Sequence, residues 1–196
     1  MKRVFLVLLA FTFVQCNSQN IIPNKDDQIN AALQAAPENK RTNATVLGYT
    51  KNGDIVTLEK GSNELICLAN NPANKSYSVA CYHKDLEPFM ARGRELKAAG
   101  KNRTEIFNIR EQEAKTGKLK IPDHPSTLYI LYGGKAHYDK KSKKIMDANY
   151  RYVVYIPWAT SKSTGLPTQP QVEGGPWIMD PGTHKAHIMI SPPPKY

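Results

Sequence analysis

The chain has 196 residues, with 27 Lys and Arg against 17 Asp and Glu, a formal net charge of +10 and only 3 cysteines. A length of this order suits one domain able to bury a core. The charge is spread along the chain, and its one dense run, Lys140-Lys141-Ser142-Lys143-Lys144, reads as a solvated hairpin loop. Composition therefore argues against a nucleic-acid partner and leaves a weak, unspecific attraction to an anionic envelope surface.

The N-terminus opens Met1-Lys2-Arg3 and continues as an apolar run from Val4 to Val14, followed at once by the polar Gln15 to Asn20. A short cationic start before about eleven apolar residues is the pattern of a secretory signal. The run is too short to span a bilayer, which takes about 20 residues, so no transmembrane helix is expected. The expected organisation is a signal segment over 1–19, a disordered lead over 20–25 and a single domain over 26–196. Val14-Gln15-Cys16 resembles a lipoprotein box, with Cys16 as the lipidated residue, although Gln15 departs from the usual small residue. The favoured alternative is plain cleavage near Ser18-Gln19-Asn20. The destination is periplasmic or secreted, or else a lipid anchor at the outer membrane. Either way Cys67 and Cys81 are the remaining thiols. A lone pair in an oxidising compartment reads as a disulfide. A metal pair is the weaker alternative, since the CxxC spacing is missing.

Asp26 and Asp27 offer caps to a helix whose apolar positions Ile29, Ala32, Leu33 and Ala36 follow helical spacing, and Pro37 stops it. Ala44–Tyr49 and Ile55–Leu58 flank Lys51-Asn52-Gly53-Asp54, which predicts a β-hairpin closed by a type I′ turn at Asn52-Gly53. Glu64–Leu68 reads as a third strand, and residues 70–74 as a loop. A helix begins at Lys84 or Asp85, carries Leu86, Phe89, Met90 and Leu96 on one stripe, and ends at Gly100. Asn102-Arg103-Thr104-Glu105 has the form of a capping box opening another helix, which ends before Gly117.

The last third is β-rich. Thr127–Tyr132 is nearly continuously apolar, as a strand covered on both faces would be. Asn149–Ile156 alternates, placing Tyr150, Tyr152, Val154 and Ile156 on one face. Residues 159–176 form a long Gly/Pro/Ser/Thr loop, the kind that is usually functional in a compact domain. Ala186–Ile190 is a final short strand. The fold class is α+β, a mostly antiparallel β-sheet with about three helices packed on one face.

Several of these pieces resemble a group of small exported bacterial proteins with no established activity. The likeness lies in Ala31-Ala32-Leu33, Ala36-Pro37, Ala44-Thr45-Val46, Gly61-Ser62-Asn63 with Cys67, and Cys81, then in Thr127 through Gly134 and His187-Ile188-Met189-Ile190. The chain departs from the group in the loop at 159–183 and in His184. The resemblance implies export and the cysteine pair, and carries no function with it.

No GxSxG, GxxxxGK[ST], HExxH or CxxC pattern occurs in the sequence. The remaining chemistry rests on 5 histidines. His184 and His187 form an HxxH spacing, but on a strand i and i+3 point to opposite faces, so a chelate would need a bend at Pro181-Gly182-Thr183. His187 beside the Gly/Pro loop is the candidate catalytic residue. Its plain reading is a half-buried histidine bonded to a backbone carbonyl. His83 reads as a surface residue at the start of a helix, with a metal or haem site as the alternative. His124 sits in the rigid stretch Ile121-Pro122-Asp123-His124-Pro125. His137 is expected to be exposed. A triad of His187, Asp180 and Ser161 or Ser163 is chemically conceivable, although nothing in their spacing demands it.

The aromatic residues Tyr129, Tyr132, Tyr150, Tyr152, Tyr155, Trp158 and Trp177 gather beside the long loop, and could wall a slot for a sugar ring, a peptide or a lipid tail. The expected function is therefore an exported or envelope-associated binding or interaction module. It would use no cofactor and would hold a small molecule or envelope component through Trp158, Trp177 and His187. The alternative is a hydrolase or metal-dependent enzyme centred on His187, with His184 or His124 assisting.

Overall fold

The structure is a computed structural model that describes residues 22–193. Residues 1–19 and Cys16 lie outside the described residues. The first helix, α1 (Lys25–Leu33), is capped by Asn24, whose Oδ1 accepts from the Asp27 backbone N–H at 2.8 Å. Asp26 and Asp27 therefore fill the first turn, where acidic groups meet the positive helix end, and do not cap it themselves. The helix opens one residue ahead of the expected domain boundary.

Four strands follow: β1 (Thr45–Tyr49), β2 (Ile55–Glu59), β3 (Leu65–Leu68) and β4 (Tyr77–His83). β1 and β2 make the expected hairpin, but the turn differs. Only Gly53 has positive φ, at 87°. The Gly53 N–H bonds to the Thr50 carbonyl and the Thr50 N–H to the Asp54 carbonyl, each at 2.9 Å. This is a three-residue loop in which one glycine supplies the left-handed position, so Asn52 need not adopt it. β4 was not expected at all. Next come α2 (Glu87–Ala98), after a 3-10 turn at Lys84–Leu86, and α3 (Arg103–Lys115), whose capping box between Asn102 and Glu105 is present as read. The chain continues through β5 (Ser126–Gly133), the small hairpin β6 (His137–Asp139) and β7 (Lys144–Met146), and β8 (Asn149–Tyr155). The short α4 (Ser161–Thr164) lies in the long loop, ahead of β9 (Trp177–Met179) and β10 (His187–Ile190).

Eight strands form one sheet in the order β2-β1-β3-β4-β5-β8-β10-β9. The pairing of β1 with β3 is parallel and every other pair is antiparallel, so the α+β class and the mostly antiparallel sheet are as expected.

Strand parity shows how the helices are shared out. Val79 and Cys81 of β4 point to the same core as Ala31, Ala32, Ala35 and Ala36, with Val46, Leu65, Cys67 and Leu131. Tyr82 and Leu128, from the opposite parity of β4 and β5, pack with Leu86, Phe89, Val153, Tyr155 and Met189. Because successive strand residues face opposite sides, α1 lies on one face of the sheet and α2 on the other. Both faces of the central strands are thereby buried, where one helical layer was expected. The pair α2 and α3 is tied by Arg92, whose Nε and Nη2 donate to Glu113 at 2.9 and 2.7 Å. On the other face, Gln28 of α1 is buried and closes on β1. Its Oε1 accepts from the Tyr49 N–H at 2.8 Å, and its Nε2 donates to the Tyr49 carbonyl at 3.1 Å.

Cys67 and Cys81 are directly opposite each other in the β3–β4 register and form a disulfide, fully buried under α1. Cys81 Sγ lies 3.2 Å from the Ala32 carbonyl oxygen. Among the described residues, no helix is long and apolar enough to cross a membrane.

Candidate metal centre

The antiparallel register brings one end of several strands together. Tyr82 pairs with Leu128, Ser126 with Tyr155, and Tyr155 with His187. The end of β4, the start of β5, the end of β8 and the start of β10 therefore share one rim of the sheet. His83, His124, His184 and His187 all come from this rim, while His137 starts β6, just after β5 has ended at the far rim.

His83 is the last residue of β4 and Asp85 lies in the 3-10 turn that follows. That turn forms because Pro88 suits the first turn of α2 but has no N–H with which to extend a strand. His124 is held just before β5 by the flanking Pro122 and Pro125, which favour extended backbone. Pairing of β4 with β5 then sets the two segments side by side. His83 Nδ1 stands 3.4 Å from Asp85 Oδ2, and His124 Nε2 stands 3.2 Å from the same oxygen. One ligand atom from each of the three residues lies within 4.8 Å of the others. The two imidazole rings meet edge to face at 6.1 Å.

Two details of this cluster bear on its chemistry. His83 Nδ1 also accepts from the Asp85 backbone N–H at 3.3 Å, a bond that a metal ion at Nδ1 would replace. His124 is bracketed on its other side by Asp123, with Nδ1 to Oδ1 at 2.9 Å. The bond to Asp123, together with the Asp85 charge, raises the His124 pKa, and the same bond lowers that of Asp123. A carboxylate that accepts from one imidazole nitrogen fixes the tautomer and leaves the other nitrogen as a donor to metal. In a tetrahedral zinc site with bonds of about 2.0–2.1 Å, ligand atoms stand about 3.4 Å apart. Two of the three separations here already match. Two imidazoles and one carboxylate suit Zn(II), Ni(II) or Cu(II), and leave a fourth position for water or a ligand atom.

The cluster opens on two grooves that share Asp123 and His124. One, of about 340 Å3, runs under Pro125, Ile156, Pro157 and Trp158. The other runs between Asp85, Pro88, Leu119 and Ile121. Trp158 has φ 67°, a left-handed conformation that costs a tryptophan about 1–3 kcal/mol. Its backbone N–H donates to the Thr183 carbonyl at 2.8 Å, which holds that conformation, and the residue is 40% exposed.

The residues singled out from sequence fall as follows. Trp158 lies against His184 and lines the groove of His124, and neither Trp177 nor His187 lines that groove. Trp177 lies on edge strand β9 opposite Met189. His187 is 4% exposed, stacks on Tyr155 at 5.1 Å and donates from Nδ1 to the Lys185 carbonyl at 2.6 Å. Burial lowers its pKa. His184 is enclosed by Phe89, Phe107 and Trp158, with Nδ1 on Glu111. His184 lies in the turn ahead of β10, and its Nδ1 reaches Glu111 while that of His187 reaches the Lys185 carbonyl, so the two do not converge on one point. Asp180 pairs with Lys185 at 3.0 Å. The Ser161 Oγ is buried without a hydrogen-bond partner, and Ser163 closes the capping box of α4 by accepting from the Thr160 N–H. Asp85 was read in the sequence only as a helix start, although it forms a His-x-Asp spacing with His83 at a strand end. No family model, curated protein or solved structure matches the chain.

Proposed function

We propose that this chain is an exported protein that binds a divalent transition-metal ion through His83, Asp85 and His124. The observation that carries the reading is the convergence of both imidazoles on one carboxylate oxygen, at 3.4 and 3.2 Å. The grooves on either side, with Trp158 as a wall, give a small molecule or envelope component access to the open metal position. This keeps the expectation of a binding module at the aromatic end of the sheet, and moves its centre from His187 to His83 and His124. Export is supported by the signal pattern over 1–19 and by the buried Cys67–Cys81 bond, which an oxidising compartment maintains. Intact mass of the mature chain separates cleavage near Ser18-Gln19-Asn20 from lipidation at Cys16.

The test is calorimetric titration of the purified, chelator-treated protein with Zn2+. One ion binds per chain, and His83→Ala, Asp85→Asn and His124→Ala each weaken binding by at least about tenfold. His137→Ala, at the far rim, serves as the control and leaves binding unchanged. If the three variants bind Zn2+ as the parent does, the site is wrong.

A further inference from the structure

A second groove, away from the metal centre, lies where the end of α2 and the first turns of α3 meet the connection between β9 and β10. It encloses about 670 Å3 and is lined by Lys97, Lys101, Arg103, Arg110 and Lys185, with Asp180 as its one acid. Ile106, Phe107 and Met179 give it an apolar floor. Two of the cations already have partners, Lys101 with Glu105 at 2.9 Å and Lys185 with Asp180 at 3.0 Å. Lys97 and Arg103 are exposed and make no ion pair among the described residues.

Arg110 is the unusual member. Its Nη1 donates to the Phe89 carbonyl at 3.2 Å, and its guanidinium lies 3.9 Å over the Phe89 ring. Gly93 makes room for it, since a Cβ there would stand 3.0 Å from Nη1. The Arg110 Nε is buried and has no hydrogen-bond partner. Burial pushes the guanidinium pKa down, and the influence that opposes it comes from Tyr155, not from a carboxylate. A part-buried charge without a counter-ion is costly, and an unpaired buried donor calls for a partner.

We infer that this groove binds an organic phosphate, whose anionic group meets Arg110, Lys97 and Arg103 while its organic part lies on Ile106, Phe107 and Met179. A phosphate oxygen matches the guanidinium fork, and a multiply charged anion suits an excess of cations over a single carboxylate. The proposal is independent of the metal centre. Its ligand is either a free phosphate ester or the headgroup of an anionic lipid.

The experiment titrates the protein with phenyl phosphate at low salt, and sediments it with phosphatidylglycerol or phosphatidylcholine vesicles. Saturable binding of phenyl phosphate alone identifies a free ester. Co-sedimentation with phosphatidylglycerol but not phosphatidylcholine identifies a headgroup. Arg110→Met weakens binding by about tenfold or more. The double variant Lys97→Gln/Arg103→Gln, confined to exposed side chains, reads the site even where Arg110→Met loses the fold, and weakens binding by at least about threefold. The quadruple variant Lys140→Gln/Lys141→Gln/Lys143→Gln/Lys144→Gln measures unspecific charge attraction and leaves binding unchanged. The proposal is overturned if neither probe binds, or if the quadruple variant weakens binding as much as the groove variants do.

Discussion

The Nδ1 of His184 lies 3.2 Å from the Glu111 Oε2 although the imidazole itself is wholly enclosed. Its Nε2 is buried with no hydrogen-bond partner. Burial lowers the His184 pKa, with Arg110 and Lys185 acting the same way, and outweighs the opposing pull of Glu111. His187 is lowered for the same leading reason. In the unfolded chain both titrate near about 6.5. Above that value both states are neutral and stability is full. As pH falls, the unfolded chain takes up protons first, so stability is lost from there downward through the folded-state pKa.

Thermal melts from pH 8 to pH 5 should therefore show a plateau and then a decline below about pH 6.5, limited to about 1.4 kcal/mol per pH unit for each histidine. His184→Leu and His187→Leu each flatten part of the decline. An unaltered acid slope in both variants would count against the two histidines as its source.

The Cys67–Cys81 bond joins residues 14 apart in sequence, directly across β3 and β4. Closing a loop of that size contributes about 3 kcal/mol by the chain-entropy estimate. Cys67→Ala/Cys81→Ala is expected to lower Tm by about 6–12 °C while keeping the fold. Both sulfurs are buried, so the variant tests this more cleanly than added reductant. A Tm within a degree of the parent's would show that the bond constrains little.

Trp158 shares a groove with His124, whereas Trp177 sits on edge strand β9. Cu2+ at the metal centre should quench the fluorescence of Trp158. Trp158→Phe then leaves emission from Trp177 that is insensitive to Cu2+. Quenching that persists undiminished in Trp158→Phe would place the ion elsewhere.

Local chemistry made many elements readable in advance. The capping box at Asn102 and Glu105, the stripe of Leu86, Phe89 and Leu96, and the alternation through Tyr150 and Tyr152 each depend on neighbours within one or two turns. β4 was missed because Tyr77-Ser78-Val79-Ala80-Cys81-Tyr82-His83 mixes small, polar and aromatic residues. Its two faces bury against different helices, so neither parity reads as solvent-facing. Without β4 there was no reason to set His83 beside His124. The metal centre was therefore not assembled, although His83, Asp85 and His124 had each been noted singly.

By itself the sequence determined the α+β class, the β1–β2 hairpin, the capping box of α3 and the pairing of its two remaining cysteines. These follow from spacing, turn residues and composition, which act over short stretches of chain. The tertiary structure decided which face each helix covers, and that His83, Asp85 and His124 meet. Those outcomes depend on strand order and register, which bring distant segments together through buried area that no single segment possesses.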